Sequence, residues 1–192
     1  MNVTYCVDVG SVVGGNFAWA RLTDDIRGPD RRHELGGSHA VIELRERLRA
    51  DLSDARRSVT IGFESQLFVP LRDTPRRLTS ARGAFEHSSF AGGPGSAVLV
   101  TGLVQVAFLL DGLGDRVTTS RTEFDSDRTG RLLVWEAFVS GAMEPAPMCV
   151  GGEHSVHACD AIMAATAAHI FPCAVRGCCA GHRVAAWWIS PR

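Results

Sequence analysis

Four acidic residues lie where the sequence otherwise predicts buried structure: Asp8, Glu64, Glu136 and Asp160. Asp8 and Glu64 end short apolar segments whose patterns are typical of β-strands. Glu136 interrupts a third such segment, and Asp160 lies in a helical segment built from alanine, isoleucine and methionine. An ionised carboxylate is costly to bury unless a cation compensates its charge. The four residues together therefore predict one shared divalent-metal site.

The chemistry that such a site favours is hydrolysis of a phosphodiester bond. Carboxylate oxygens suit Mg²⁺ or Mn²⁺, and two ions about 4 Å apart would activate water and stabilise the leaving oxygen. In this scheme Asp8 bridges the ions, and Glu64 and Asp160 hold one ion each. His157 precedes Asp160 by one helical turn on the same face, so it is a candidate ligand or proton-transfer group. Glu136, in the middle of its strand, is a weaker candidate ligand.

Each candidate also has a purely structural interpretation. Asp8 precedes a glycine and could shape a turn, and Glu64 could cap the turn after its strand. Glu136 could face solvent on an edge strand, and a lone helical histidine such as His157 is often structural. Asp160 is the hardest to explain in this way, because its neighbours are small and apolar.

The hydrophobic periodicity predicts an α/β fold that positions these residues. Residues 3–9 alternate between two faces, and with residues 17–22 they predict a hairpin. Ser38 and Ser96 are candidate N-caps of the first two helices. The further predicted strands are residues 32–35, 58–64, 132–139 and 183–189, and the predicted helices are residues 39–54, 97–110 and 153–171. Residues 70–95 and 111–130 are predicted to be irregular. Strands alternating with helices predict a mixed sheet, with ligands beyond the carboxyl ends of its strands.

Length and composition predict a single domain, residues 1–192, in the cytoplasm. The chain has 192 residues and a formal net charge of -1, so no overall basic field attracts nucleic acid. The first residues show no secretory signal, and the apolar stretch 97–110 is too short to cross a bilayer. Six cysteines in such a chain are predicted to be free thiols.

A candidate substrate-binding region precedes the second predicted helix. Arg76 and Arg82 could contact a phosphate backbone. Gly93 and Ser96 could hold a phosphate on backbone N–H groups at the helix start. A solvated arginine-containing loop and an ordinary loop-to-helix junction are the simpler explanations, and the segment lacks a Walker pattern.

An ordered set of motifs resembles the RNase H-like superfamily, and more closely a bacterial family of unknown function described as predicted RNase H-like nucleases. The motifs are YCVDVG, NFAWARL, VTIGFES, LLVWEAFVSG, HSVHACDAIMAATAAHI and AAWWISP. The resemblance implies a hairpin-first mixed sheet flanked by helices and an acidic site of Asp8, Glu64 and Asp160. The segment from His157 to Asp160 is similar to the His-x-x-Asp of RuvC-like resolvases. The resemblance of this chain to those resolvases also implies a possible homodimer. The turn after Asp8 departs from the family pattern.

Three other interpretations remain open from the sequence. The residues after Asp8 also resemble the first phosphate loop of actin-like and sugar-kinase ATPases, although these need two such domains. The chain could also be an RNase H-like module that binds DNA, RNA or a protein partner without cutting. Finally, a cysteine–histidine cluster has an irregular spacing for zinc, and buried thiols explain it more simply. That cluster is Cys173, Cys178, Cys179 and His182.

Overall fold

A computed structural model describes residues 1–23, 32–36, 40–67, 74–75, 94–139, 155–170 and 184–187. Strands and helices alternate along these residues. The strands are β1 (Asn2–Asp8), β2 (Ala18–Thr23), β3 (Arg32–Gly36), β4 (Ser58–Phe63), β5 (Val117–Thr118), β6 (Leu132–Val139) and β7 (Val184–Trp187). The helices are α1 (Val41–Ser53), α2 (Pro94–Leu110), α3 (Arg121–Ser126) and α4 (Val156–Ile170), with a 3₁₀ turn at Gly114–Arg116.

The described strands form one mixed sheet whose central order is β3-β2-β1-β4-β6. β2 runs antiparallel to both of its neighbours, whereas β1, β4 and β6 run parallel to one another. β5 pairs with the beginning of β6, and β7 pairs antiparallel with its end. The predicted α/β class, the mixed sheet and the initial hairpin are confirmed.

The two faces of the sheet carry separate hydrophobic clusters. On the face covered by α1, residues such as Val3, Tyr5 and Val7 pack against leucines of the helix. On the face covered by α4, Cys6 and Trp135 pack with alanines and an isoleucine of that helix. The alternation of β1 places Asp8 on the face opposite Val3, Tyr5 and Val7, as the sequence pattern predicts. This is the face that α4 covers.

A buried ion-pair network ties α1 to the first hairpin. The Asp51 carboxylate accepts hydrogen bonds from the Tyr5 hydroxyl at 2.6 Å and from the Arg21 guanidinium at 2.8 and 3.0 Å. Arg57 also donates to it. Burial by itself would raise the pKa of Asp51, but the hydrogen bonds from Arg21 and Tyr5 lower it below its usual value. The network therefore holds an ionised carboxylate in the protein interior with its charge compensated.

The observed elements differ from the predicted ones mainly at their ends. α2 begins at Pro94, so Ser96 lies within its first turn and is not its N-cap; proline is well suited to a first helical position. The segment predicted as irregular, residues 111–130, contains β5 and the short helix α3. The Ser120 side chain caps α3 by accepting a hydrogen bond from the Glu123 N–H. Such short elements offer too few residues for a periodic pattern.

Helix α2 is apolar on its outer side as well as its inner side. Val100, Leu103 and Val104 are exposed, while Leu109 is fully buried. No helix in the described part of the chain is both long enough and apolar enough to cross a membrane.

Candidate functional site

Asp8 and Glu64 lie next to each other at the carboxyl edge of the sheet. β1 ends at Asp8, and Glu64 directly follows β4. The two strands are paired in parallel up to Val7 and Phe63, and the Glu64 N–H extends the ladder by donating to the Val7 carbonyl at 2.8 Å. The two acidic residues are therefore the next pair in register, on the same face.

Helix α4 brings His157 and Asp160 to this edge. His157 Nδ1 lies 2.5 Å from the Asp8 carboxylate oxygen Oδ2, although 149 residues separate the two. Asp160 lies near enough for its charge to act on Asp8. The helical spacing of three residues, which places both side chains on one face, accounts for their joint approach. Asp8, His157 and Asp160 therefore form one polar cluster between the sheet and α4.

The electrostatics of the cluster disfavour several ionised carboxylates at once. Burial raises the pKa of Asp8 to about 6; the hydrogen bond from His157 opposes this rise and the charge of Asp160 adds to it. Burial also raises the pKa of Asp160, again opposed by His157. Burial and then the Glu64 charge raise the pKa of the Cys6 thiol, which places the Glu64 carboxylate near the same face. Added positive charge would favour the ionised forms of these carboxyl groups.

Glu136 lies on the opposite face from this cluster. It is fully buried, and its position in β6 has the same parity as Leu132 and Val134, which belong to the cluster under α1. Its Oε1 accepts a hydrogen bond from the Leu67 N–H at 2.6 Å. The structure thus brings Asp8, Glu64, His157 and Asp160 to one face and separates Glu136 from them. The alternative of a solvated edge position for Glu136 is wrong, because β6 is paired on both sides.

Helix α2 holds the two turns that carry the strand-end carboxylates. The Gln105 side-chain amide donates a hydrogen bond at 2.5 Å to the carbonyl of Gly10, which lies in the turn after Asp8. Ser65, which follows Glu64, is fully buried and its hydroxyl donates to the Val98 carbonyl at 3.2 Å. A Cβ on Gly102 would lie 2.0 Å from the Ser65 oxygen, so only glycine permits this approach.

These contacts were not predicted from the sequence. The available signal is that Gln105 is the only amide in an otherwise apolar helix. Its Oε1 is buried and accepts no hydrogen bond from the residues that the structure describes. The hydrogen bond from this buried amide to a backbone carbonyl indicates that glutamine occurs here because it contacts a loop, and not because it favours a helix.

Several predicted residues cannot be placed by the structure. Arg76, Arg82 and Gly93 lie outside the described residues, as does the whole cysteine–histidine cluster of Cys173, Cys178, Cys179 and His182. Ser96 is described and lies half-buried in the first turn of α2. The proposals for phosphate and zinc binding by these residues stay predictions.

The described residues contain no group of three or more histidine, cysteine, aspartate or glutamate side chains that could hold a metal ion as they stand. Comparison with models of known protein families, with curated proteins and with solved structures yields no match.

Proposed function

We propose that the chain is an RNase H-like, Mg²⁺- or Mn²⁺-dependent nuclease that hydrolyses phosphodiester bonds of DNA or RNA. One observation carries the proposal: Asp8 and Glu64 are side by side at the carboxyl edge of the sheet, and α4 brings Asp160 and His157 to the same place. Carboxyl edges of parallel strands are where α/β sheets collect ligands.

The strand order supports the RNase H-like assignment. The motif resemblance implies a sheet that begins with a hairpin and continues with parallel strands. The central order β3-β2-β1-β4-β6, with β2 alone reversed, has this arrangement. It places β1 in the middle of the sheet, so its last residue, Asp8, is central to the carboxyl edge.

The donor chemistry fits a hard divalent cation, although no group of three described side chains could hold one as they stand. Asp8, Glu64 and Asp160 offer carboxylate oxygens, the ligands that Mg²⁺ and Mn²⁺ prefer. The raised pKa values of Asp8 and Asp160 mark a place where the protein itself supplies too little positive charge. When bound, the ion would polarise a phosphate oxygen and lower the pKa of a water.

The chain's own groups orient the carboxylates and manage the proton. His157 shares one hydrogen bond with Asp8, and either group can hold its proton. The imidazole therefore keeps Asp8 directed towards α4, and it can accept the proton that Asp8 releases when Asp8 ionises. Gln105 and Ser65 hold the turns after Asp8 and Glu64 through α2. Rigid placement of these turns limits the movement of the candidate ligands.

Calorimetry with Mn²⁺ at pH 7.5 tests the site without a choice of substrate. We expect wild type to bind Mn²⁺ and the Asp8→Asn/Asp160→Asn variant to lose binding by at least tenfold. The matched control, Asp111→Asn/Asp127→Asn, removes the same charge from exposed positions and should bind like wild type. Equal binding by wild type and the first variant would refute the assigned site.

A second candidate function is an RNase H-like module that binds nucleic acid without cutting it. The observation in its favour is that the described residues hold no preassembled group of three metal ligands. Incubation of a labelled single-stranded oligonucleotide with protein and Mn²⁺ separates the two. Cleavage that Asp8→Asn abolishes supports the nuclease. Binding without cleavage, and without any calorimetric Mn²⁺ signal, supports the module.

A further inference from the structure

A cavity lies at the opposite end of the sheet from Asp8. It has a volume of about 470 Å³ and opens between the end of α1 and the beginnings of β5 and β6. Cavities of this size accommodate small ligands. Six residues that line it are Leu52, Ser53, Asp115, Arg116, Thr129 and Arg131. A strand of six residues spans about 20 Å, so this cavity is separate from the acidic cluster.

The strand register places two of the residues that line the cavity, Arg116 and Arg131, beside each other. Val117 of β5 pairs with Leu132 of β6 in parallel, and Arg116 and Arg131 directly precede these two residues. Neighbouring parallel strands are about 4.8 Å apart, so the two chain segments enter the sheet at about this distance. Where two guanidinium groups share one space, they repel each other unless an anion lies between or beside them.

The protein compensates this pair of charges only in part. Arg131 reaches the Asp127 carboxylate at 3.8 Å, at the long end of an ion pair and exposed to solvent. In the part of the chain that the structure describes, Arg116 forms no ion pair. Of the described residues that line the cavity, one is acidic, Asp115, and two are arginines. Weakly paired surface charges remain available to a ligand.

The chain turns at Gly130, directly before Arg131 and on the wall of the cavity. Gly130 has a φ of 64°, in the left-handed region that favours glycine. A Cβ at this position would lie 3.7 Å from the Leu52 carbonyl oxygen, an ordinary contact distance. Glycine is therefore favoured here by the backbone conformation of the turn that leads into Arg131.

We propose that this cavity binds a phosphate group between Arg116 and Arg131. A guanidinium presents its N–H donors in a planar fork that matches two phosphate oxygens, and two forks can hold one phosphate from two sides. The phosphate belongs to a free phosphate compound or to the backbone of a nucleic acid. The inference does not depend on the acidic cluster, since no residue is shared.

Binding in metal-free buffer with EDTA tests the cavity apart from the acidic cluster. Pyrophosphate is titrated by calorimetry, and a short fluorescein-labelled single-stranded oligonucleotide is titrated by fluorescence anisotropy. Arg116→Gln/Arg131→Gln should weaken binding by about tenfold or more, since charge-assisted hydrogen bonds are lost. Arg47→Gln/Arg121→Gln, which removes two charges from ion pairs outside the cavity, should leave affinity within about twofold.

Asp115→Asn provides a test in the opposite direction. Removal of the one lining carboxylate should tighten phosphate binding several-fold, an effect that loss of folding cannot imitate. The ligand that responds identifies the source: pyrophosphate for a free compound, the oligonucleotide for a backbone. The proposal is overturned if wild type binds neither ligand at millimolar concentration. It is also overturned if both double variants weaken binding equally, or if neither does.

Discussion

The Asp8 carboxyl group should make the metal-free protein less stable at neutral pH than it would be with an uncharged residue there. The pKa of Asp8 is about 6 in the folded protein, against 3.8 as the ordinary value. Folding therefore favours the protonated form. The stability linked to this group is fully present below pH 3.8 and is lost as the pH rises through 6. Asp8→Asn removes the charge and keeps the shape of the side chain.

The magnitude follows from the difference in proton affinity. Each tenfold difference in proton affinity corresponds to about 1.4 kcal/mol. A pKa of about 6 in the folded protein, in place of 3.8, therefore limits the destabilisation caused by ionised Asp8 to about 3 kcal/mol. Residual solvent contact and a weakened hydrogen bond to His157 reduce this value. We expect Asp8→Asn to be about 1–2 kcal/mol more stable than wild type at pH 7.5, and less than about 0.5 kcal/mol more stable at pH 4.

Urea unfolding followed by tryptophan fluorescence, with EDTA present at both pH values, measures the effect. Asp111→Asn, an exposed aspartate, is the matched control and should change stability by less than about 0.5 kcal/mol at either pH. A gain that is equal at pH 4 and pH 7.5, or an Asp8→Asn protein that is less stable at pH 7.5, would refute the reasoning. A carboxyl group kept at a sheet edge despite its cost in stability is typical of a functional site.

Two further predictions concern other carboxylates of the protein. Asp51→Ala removes the buried carboxylate to which Arg21 and Tyr5 donate hydrogen bonds and should lower the free energy of unfolding by about 3 kcal/mol, measured by urea unfolding. Glu64→Gln should weaken Mn²⁺ binding in calorimetry by about tenfold or more, whereas Glu136→Gln should not, because the two side chains lie on opposite faces of the sheet.

For each of these two predictions, one result would contradict it. Glu43→Ala, which breaks an exposed ion pair with Arg47, should change stability by no more than about 0.5 kcal/mol. A cost for Asp51→Ala as small as this would show that the buried network contributes little. Loss of Mn²⁺ binding in Glu136→Gln, with Glu64→Gln unaffected, would reverse the assignment of the two glutamates.

Local patterns were sufficient for the elements and for the strand ends. The alternation of residues 3–9 assigns Val3, Tyr5 and Val7 to one face and Asp8 to the other, and this is the arrangement observed. Asp8 and Glu64 were predicted at carboxyl ends of strands, and both lie there. The alternation of side-chain direction along a strand depends only on the local backbone geometry, so the sequence pattern is sufficient to predict it.

The grouping of the site was decided by tertiary structure. The hydrogen bond between Asp8 and His157, and the network of Asp51 with Arg21 and Tyr5, join residues that are far apart in the sequence. Glu136 lies away from Asp8 because it is on the face of β6 that packs against α1, together with Leu132 and Val134. Side-chain period identifies two faces of a strand without saying which helix covers each one. That choice, and the pairing register, come from the packing of the whole sheet against its helices.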